Sequence, residues 1–202
     1  MKLYFAPGAC SLSPHIALRE AGLDFTLVRV DLASGRIAVD GSAFSRINPK
    51  GYVPALELDD GKVLTEGPAI VQYIADRKPE SGLAPENGTF ERYRLQEWLG
   101  FINSEIHKGF GPLFNPAASD ETKAAAREKV SQRLSFVAGH LEKNDFLLGG
   151  QFSVADGYLY TILSWTQRLG IDLTRWPSLV AFRERVGRRP SVQAALAAEA
   201  AA

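Results

Sequence analysis

The 202-residue sequence has a single cysteine, Cys10, so no disulfide framework can form within the chain. An excess of charge of one sign is also missing, since Lys plus Arg and Asp plus Glu each number 23. Without a global positive field there is nothing to collect nucleic acid or anionic lipid. Partners are expected to be small molecules or other proteins, with no nucleic acid and no membrane. No run of roughly 18 apolar residues occurs, so no segment is expected to span a bilayer. The opening Met-Lys-Leu-Tyr-Phe-Ala-Pro reaches proline before it can build the apolar core of a secretory signal. A reducing, cytoplasmic setting is expected, in which Cys10 stays a thiol.

What is present is a sequence with 46 % apolar residues, enough for one large core or two small ones. Its organising stretch is Tyr4 to Pro14. A short apolar strand breaks at Pro7 and Gly8, presents Cys10, and runs into helical spacing from Leu12. Unpaired N–H groups and the helix dipole at such a start favour a thiolate. An ordinary buried cysteine fits the same pattern, because free cysteine is among the most buried residue types.

Lys2–Phe5 and Phe25–Val30 read as strands, with Leu12, Ile16, Leu18 and Ala21 at helical spacing between them. Ala33–Ser45 reads as a loop with a short irregular helix. Ala55–Leu58 and Val63–Leu64, joined by Asp59-Asp60-Gly61-Lys62, read as a hairpin. A helix carrying Pro68 in its first turn follows. Lys78–Gly88, with two prolines and two glycines, reads as a linker. The expected division is therefore residues 1–78, a linker over 79–88, and residues 89–202. Beyond the linker the strand signal disappears. Phe90, Tyr93, Leu95, Trp98, Leu99 and Ile102 form one helical stripe, and Val130, Leu134, Val137 and Leu141 another, opened by Ser119-Asp120-Glu121. Ser153-Val154-Ala155-Asp156 has the form of a capping box, whose hydrophobic staple from Phe152 would fall on Gly157 and is therefore missing. A further helix is expected near Ser178.

In order along the chain, Pro-Gly-Ala-Cys-Ser-Leu, Asn48-Pro49-Lys50-Gly51 with Val53-Pro54-Ala55-Leu56, Leu64-Thr65-Glu66-Gly67, and Glu105-Ile106-His107-Lys108 resemble the bacterial beta class of glutathione transferases. The resemblance covers essentially the whole chain. It implies an α/β thioredoxin-like amino-terminal domain (β-α-β-β-β-α), an all-α second domain, and usually a homodimer. It also implies glutathione as co-substrate and no metal. Val53 matches the residue before a cis-proline, Pro54, that pairs its backbone with the cysteinyl part of glutathione. Glu66 matches the acid that meets the γ-glutamyl amine, and the N–H of Gly67 suits the γ-glutamyl carboxylate. Cys10 matches the cysteine that contacts the glutathione sulfur, with Ser11 and Ser13 as neighbouring hydroxyls, and the catalytic residues this resemblance implies are Cys10, Ser11 and His107. His107 matches a site histidine on the first helix of the second domain, in a segment with Ser104 and Glu105 that lines the site partly from a partner subunit. Read alone, Glu66 is equally a favourable first-turn charge, and His107 is equally a surface or satisfied histidine.

Three positions depart from the class. Phe5 stands where a tyrosine is frequent, and Tyr4 alternates to the other strand face. Gly35-Arg36 replaces a lysine, which passes contact with the glycyl carboxylate to Arg36 or removes it. Gly100 replaces an asparagine. The implied activity is attack of the glutathione thiolate on a small hydrophobic electrophile, held by Phe110, Pro112, Phe114 and Trp165. The alternatives are a glutathione-dependent thiol-disulfide or dehalogenating reductase acting through Cys10, with no resolving thiol in the chain, and a non-enzymatic binding protein on the same fold.

Overall fold

The computed structural model describes residues 1–37 and 40–202. They form two compact units, Met1–Ala84 with Arg188–Ala202, and Pro85–Gly187.

The first unit is built on a five-stranded sheet of β1 (Lys2–Phe5), β2 (Thr26–Asp31), β3 (Arg36–Ile37), β4 (Ala55–Glu57) and β5 (Val63–Thr65), in the order β3-β2-β1-β4-β5. β1 runs parallel to β2, with Leu3 opposite Leu27, and antiparallel to β4, with Leu3 opposite Leu56. Leu3, Tyr4 and Phe5 are all buried, as a central strand covered on both faces requires. The alternation sends Tyr4 toward Phe44, Val30 and Val53, and its hydroxyl donates to Glu57 at 2.6 Å. The phenol at position 4 is thus committed to the sheet.

The helix α1 (Leu12–Glu20) packs on α2 (Gly67–Arg77) and on the last helix, α8 (Pro190–Ala200). At the segment 33–45, expected as a loop with a short irregular helix, there is a 3₁₀ turn, Phe44–Arg46, anchored by the fully buried Phe44, and the structure adds β3. Residues 38 and 39 of that segment lie outside the described residues. The pairing of Arg36 with Asp31 and Ile37 with Val30 makes the two-residue strand, which is too short to carry a periodic signal.

The sequence reading kept residues 89–202 together, whereas α8 packs within the first unit. Its docking is polar and specific. Arg19 donates to His15 Nε2 at 2.8 Å, so the proton of that buried ring sits on Nδ1, 3.0 Å from Glu199 Oε1. The other oxygen of Glu199 accepts the Gly8 N–H at 3.2 Å. Arg189 grips Glu20 through two nitrogens, at 2.5 and 2.8 Å, with Ser191 donating to the same carboxylate. Burial alone would raise the Glu20 carboxyl, but Arg189 and Ser191 hold it below the usual range. An alanine-rich helix gives no sequence signal for where it docks.

The second unit is helical: α3 (Phe90–Phe101), a π-helical turn (Ile102–His107), a 3₁₀ turn (Lys108–Phe110), α4 (Gly111–Phe114), α5 (Asp120–Leu141), α6 (Val154–Leu163) and α7 (Pro177–Gly187). Leu95, Leu99 and Ile102, at helical spacing, are buried, while Phe90 and Tyr93 point outward. On α5 the stripe Val130, Leu134, Val137 and Leu141 is buried as expected, and Ser119 accepts the Thr122 N–H at 3.1 Å. Every residue of α6 is buried. The N–H and hydroxyl of Ser153 both donate to Asp156 Oδ2 at 2.8 Å, and the Leu147 N–H donates to Oδ1 at 2.8 Å. Burial pushes the Asp156 carboxyl up to about 6 against the pull of these donors. In place of a staple, Phe152 meets Phe146 edge-on at 5.8 Å. Among the described residues no helix is long and apolar enough to cross a membrane.

Candidate functional site

The first unit brings three expected segments to one side of β1. The chain leaves β1, turns through Pro7 and Gly8, and reaches Cys10 just before Ser11, the residue that caps α1. Cys10 is partly exposed. Its thiol donates to the carbonyl of Val53 at 3.4 Å, so the strand entering β4 and the start of α1 meet at the sulfur. The Val53–Pro54 peptide is cis. The N–H groups of Leu12 and Ser13 are already taken by the carbonyls of Ala9 and Cys10, so the first turn of α1 closes on itself.

Ser11, expected beside the sulfur as a catalytic hydroxyl, is turned the other way. It is fully buried, accepts from the Ala6 N–H and donates to the Ala6 carbonyl, both at 3.2 Å. A hydroxyl has one proton, and this one is spent on the turn that carries Cys10. Ser11 is therefore a structural residue.

Glu66 caps α2 with φ +70°, and it is the one non-glycine with positive φ among the described residues. Such a conformation costs on the order of 1–3 kcal/mol and concentrates at functional sites. Gly67 follows at the first position of α2 and Pro68 at the second, where helix N–H groups have no intrahelical partner. Glu66 Oε1 lies 2.5 Å from Lys50 Nζ, which also donates to Thr65 Oγ1 at 3.1 Å. The bond from Glu66 holds the Lys50 ammonium above its usual pKa. Lys50 was missed as a site residue because its motif, Asn48-Pro49-Lys50-Gly51, reads locally as a turn. Arg36 is not brought to this group. It lies on the far edge strand, exposed, donating to the Gly41 carbonyl at 2.6 Å.

In the second unit His107 ends the π-helical turn. Its Nδ1 lies 2.6 Å from the hydroxyl of Tyr158, which donates to Asn103 Oδ1 at 3.0 Å. Burial first, and Lys108 second, lower its pKa from 6.5 to about 4. The ring stands edge-on to Tyr158 and Trp165. Tyr158, on α6, lies 51 positions from His107, and no local pattern predicts that meeting. Ser104 and Glu105 are engaged elsewhere: Ser104 donates to the Gly100 carbonyl at 3.0 Å, and Glu105 pairs with Arg133 at 2.9 Å. Of the expected pocket residues, Trp165 stands edge-on between Phe110 and Phe114. Phe110 is fully buried, which makes it core rather than wall, while Phe114 is 43 % exposed and lies under the Arg168 guanidinium.

Comparison with known proteins gives the family. Residues 8–77 match the model of the glutathione S-transferase N-terminal domain and residues 101–190 that of its C-terminal domain. The chain is 46 % identical to glutathione S-transferase GstA of Escherichia coli O157:H7, over 98 % of each chain. Among solved structures it is similar to a sphingomonad glutathione S-transferase complexed with glutathione, at 53 % identity, TM-score 0.97 and full coverage of both chains. It is also similar to the bacterial beta class glutathione S-transferase of Sphingomonas chungbukensis, at 52 % identity, TM-score 0.96 and 98 % coverage of each. The chain belongs to the glutathione S-transferase family, in its bacterial beta class.

Proposed function

We propose that this glutathione transferase binds the tripeptide along Val53, Pro54, Glu66 and Gly67, with its sulfur beside Cys10, and activates that sulfur for attack on small hydrophobic electrophiles. The contact between the Cys10 thiol and the Val53 carbonyl carries the reading. A cysteinyl backbone paired with Val53 uses that same carbonyl, so ligand and Cys10 meet at one point. The γ-glutamyl amine takes the place of Lys50 on Glu66, an exchange of one ammonium for another that keeps the carboxylate paired. The γ-glutamyl carboxylate sits at the head of α2, where N–H groups and dipole favour an anion. Within the second unit the ring of His107 is uncharged at pH 7. Within the second unit, the exposed ring of Phe114 against Trp165 is the apolar surface suited to a hydrophobic electrophile.

A second reading is favoured by the partial exposure of Cys10. In it the Cys10 thiolate attacks a mixed disulfide of glutathione and a substrate thiol, giving a Cys10–glutathione disulfide and releasing the substrate as its reduced thiolate. A free glutathione thiolate then attacks that disulfide, regenerating the Cys10 thiolate and releasing glutathione disulfide, so glutathione is the reductant. Cys10→Ala separates the two. Conjugation to a model aryl halide survives substantially under the first reading and is abolished under the second. Absence of any calorimetric binding of millimolar glutathione to the unaltered protein would sink both and leave a binding protein of other specificity.

The reading includes a homodimer in a reducing cytoplasm. Phe136 is 61 % exposed and borders a cavity of about 260 Å³ with Arg94, Glu97, Trp98, Phe101 and Arg133. An apolar opening of this kind on α3 and α5 suits burial by a second copy. Sedimentation at micromolar concentration is expected to give twice the 22.0 kDa chain mass, and a monomer at all concentrations would refute it.

A further inference from the structure

Asn103, His107 and Tyr158 form a polar group in the second unit in which only the histidine was expected to matter. We propose that Tyr158 and Asn103 are positioning residues that hold His107 in a single neutral tautomer, protonated at Nδ1, with the Nε2 lone pair offered to a neutral N–H or S–H donor of the bound ligand.

The argument turns on one proton. The phenol has a single hydrogen, donated to Asn103 Oδ1 at 3.0 Å. Its oxygen then faces His107 Nδ1 at 2.6 Å with a lone pair, so Nδ1 supplies the hydrogen of that contact. Nε2 is left without one and can only accept. The backbone builds this arrangement. The π-helical turn puts Asn103 and His107 four residues apart on one face, and π turns recur at functional sites. Tyr158 is 3 % exposed on the wholly buried α6, so its hydroxyl is a fixed point. Trp165 and Tyr158 edges at 5.0 and 5.9 Å restrain the ring plane. With burial keeping the ring uncharged down to about pH 4, Nε2 orients a donor and does not keep its proton at neutral pH.

The role toward glutathione rests on the reading of His107 as a site residue, and the test keeps the two apart. Long-range ¹H–¹⁵N correlation of the His107 ring in the unaltered protein is expected to show hydrogen on Nδ1. In Asn103→Leu the phenol loses its acceptor and donates to Nδ1 instead, so hydrogen moves to Nε2. Asn103 is only partly buried, which favours a folded variant. Tyr158→Phe, checked for folding by its urea midpoint, is expected to give both tautomers. Hydrogen on Nε2 in the unaltered protein, or no change in Asn103→Leu, overturns the proposal. A tautomer switch with a roughly fivefold rise in KM for glutathione, the size of one lost neutral hydrogen bond, supports both proposal and site. A switch with unchanged KM supports the positioning and removes His107 from the glutathione site.

Discussion

At the scale of single residues, charge and proton inventory decide who does what. Ser11 and Cys10 are adjacent, yet one hydroxyl is consumed by Ala6 and one sulfur is partly open. Ser11→Ala takes the Ser11 acceptor from the Ala6 N–H, while the Ala6 carbonyl keeps the Ala9 N–H, and unfolding in urea is expected to show a loss of about 1–3 kcal/mol. Activity per folded molecule is expected to stay near normal; a large fall in kcat at unchanged stability would return Ser11 to the chemistry. Glu66→Gln keeps the shape and removes the charge. Calorimetric titration is expected to show glutathione binding weakened about ten- to a hundredfold, the range for a charge-assisted bond. Equal affinity would place the amine elsewhere. The positions of Cys10 and Glu66 at the starts of α1 and α2 were legible because proline, glycine and helical spacing mark those starts locally. Lys50 and Tyr158 were not, because their roles come from partners 16 and 51 positions away.

At the scale of elements, the cysteine loop depends on a helix from the other end of the chain. Glu199 on α8 binds the ring of His15 and the N–H of Gly8, two residues before Cys10. Glu199→Ala leaves the buried imidazole of His15 without the acceptor of its Nδ1 hydrogen. A loss of roughly 3–5 kcal/mol is expected, as for breaking a buried polar pair, measured by chemical denaturation. A change under 1 kcal/mol would mean that α8 is held by its apolar side and by Arg189. Gly100 works the opposite way. It lies inside α3, and a Cβ there would meet nothing within 4 Å. Gly100→Ala is expected to stabilise the protein by about 1 kcal/mol, read as a higher urea midpoint. Strands and amphipathic helices were legible because burial imposes their periods, as Val130, Leu134, Val137 and Leu141 illustrate. β3, the π-helical turn and the docking of α8 were not, since each is fixed by tertiary partners and not by a local pattern.

At the scale of the whole molecule, the half-buried His107 and the buried Asp156 pull stability in opposite directions as pH falls. His107 has a folded pKa of about 4 against an ordinary 6.5. The unfolded chain therefore takes up this proton first, and stability drops between pH 6.5 and 4 by about 3 kcal/mol from this residue. Asp156, raised to about 6 from 3.8, binds its proton first in the folded protein, and its contribution rises as pH falls from 6 to 3.8. The difference between the unaltered protein and His107→Gln isolates the first effect. That difference is expected to shrink as pH falls through this window, and a constant difference would contradict the burial of a neutral ring.

The central claim is that Cys10, Val53 and Glu66 form the glutathione site of this transferase, and a crystal structure of the protein with glutathione tests it most directly. The account predicts the glutathione sulfur in contact with Cys10 Sγ, its cysteinyl backbone paired with Val53, and its amine on Glu66 in place of Lys50. A glutathione molecule whose sulfur lies away from Cys10, with Glu66 still held by Lys50, would contradict it.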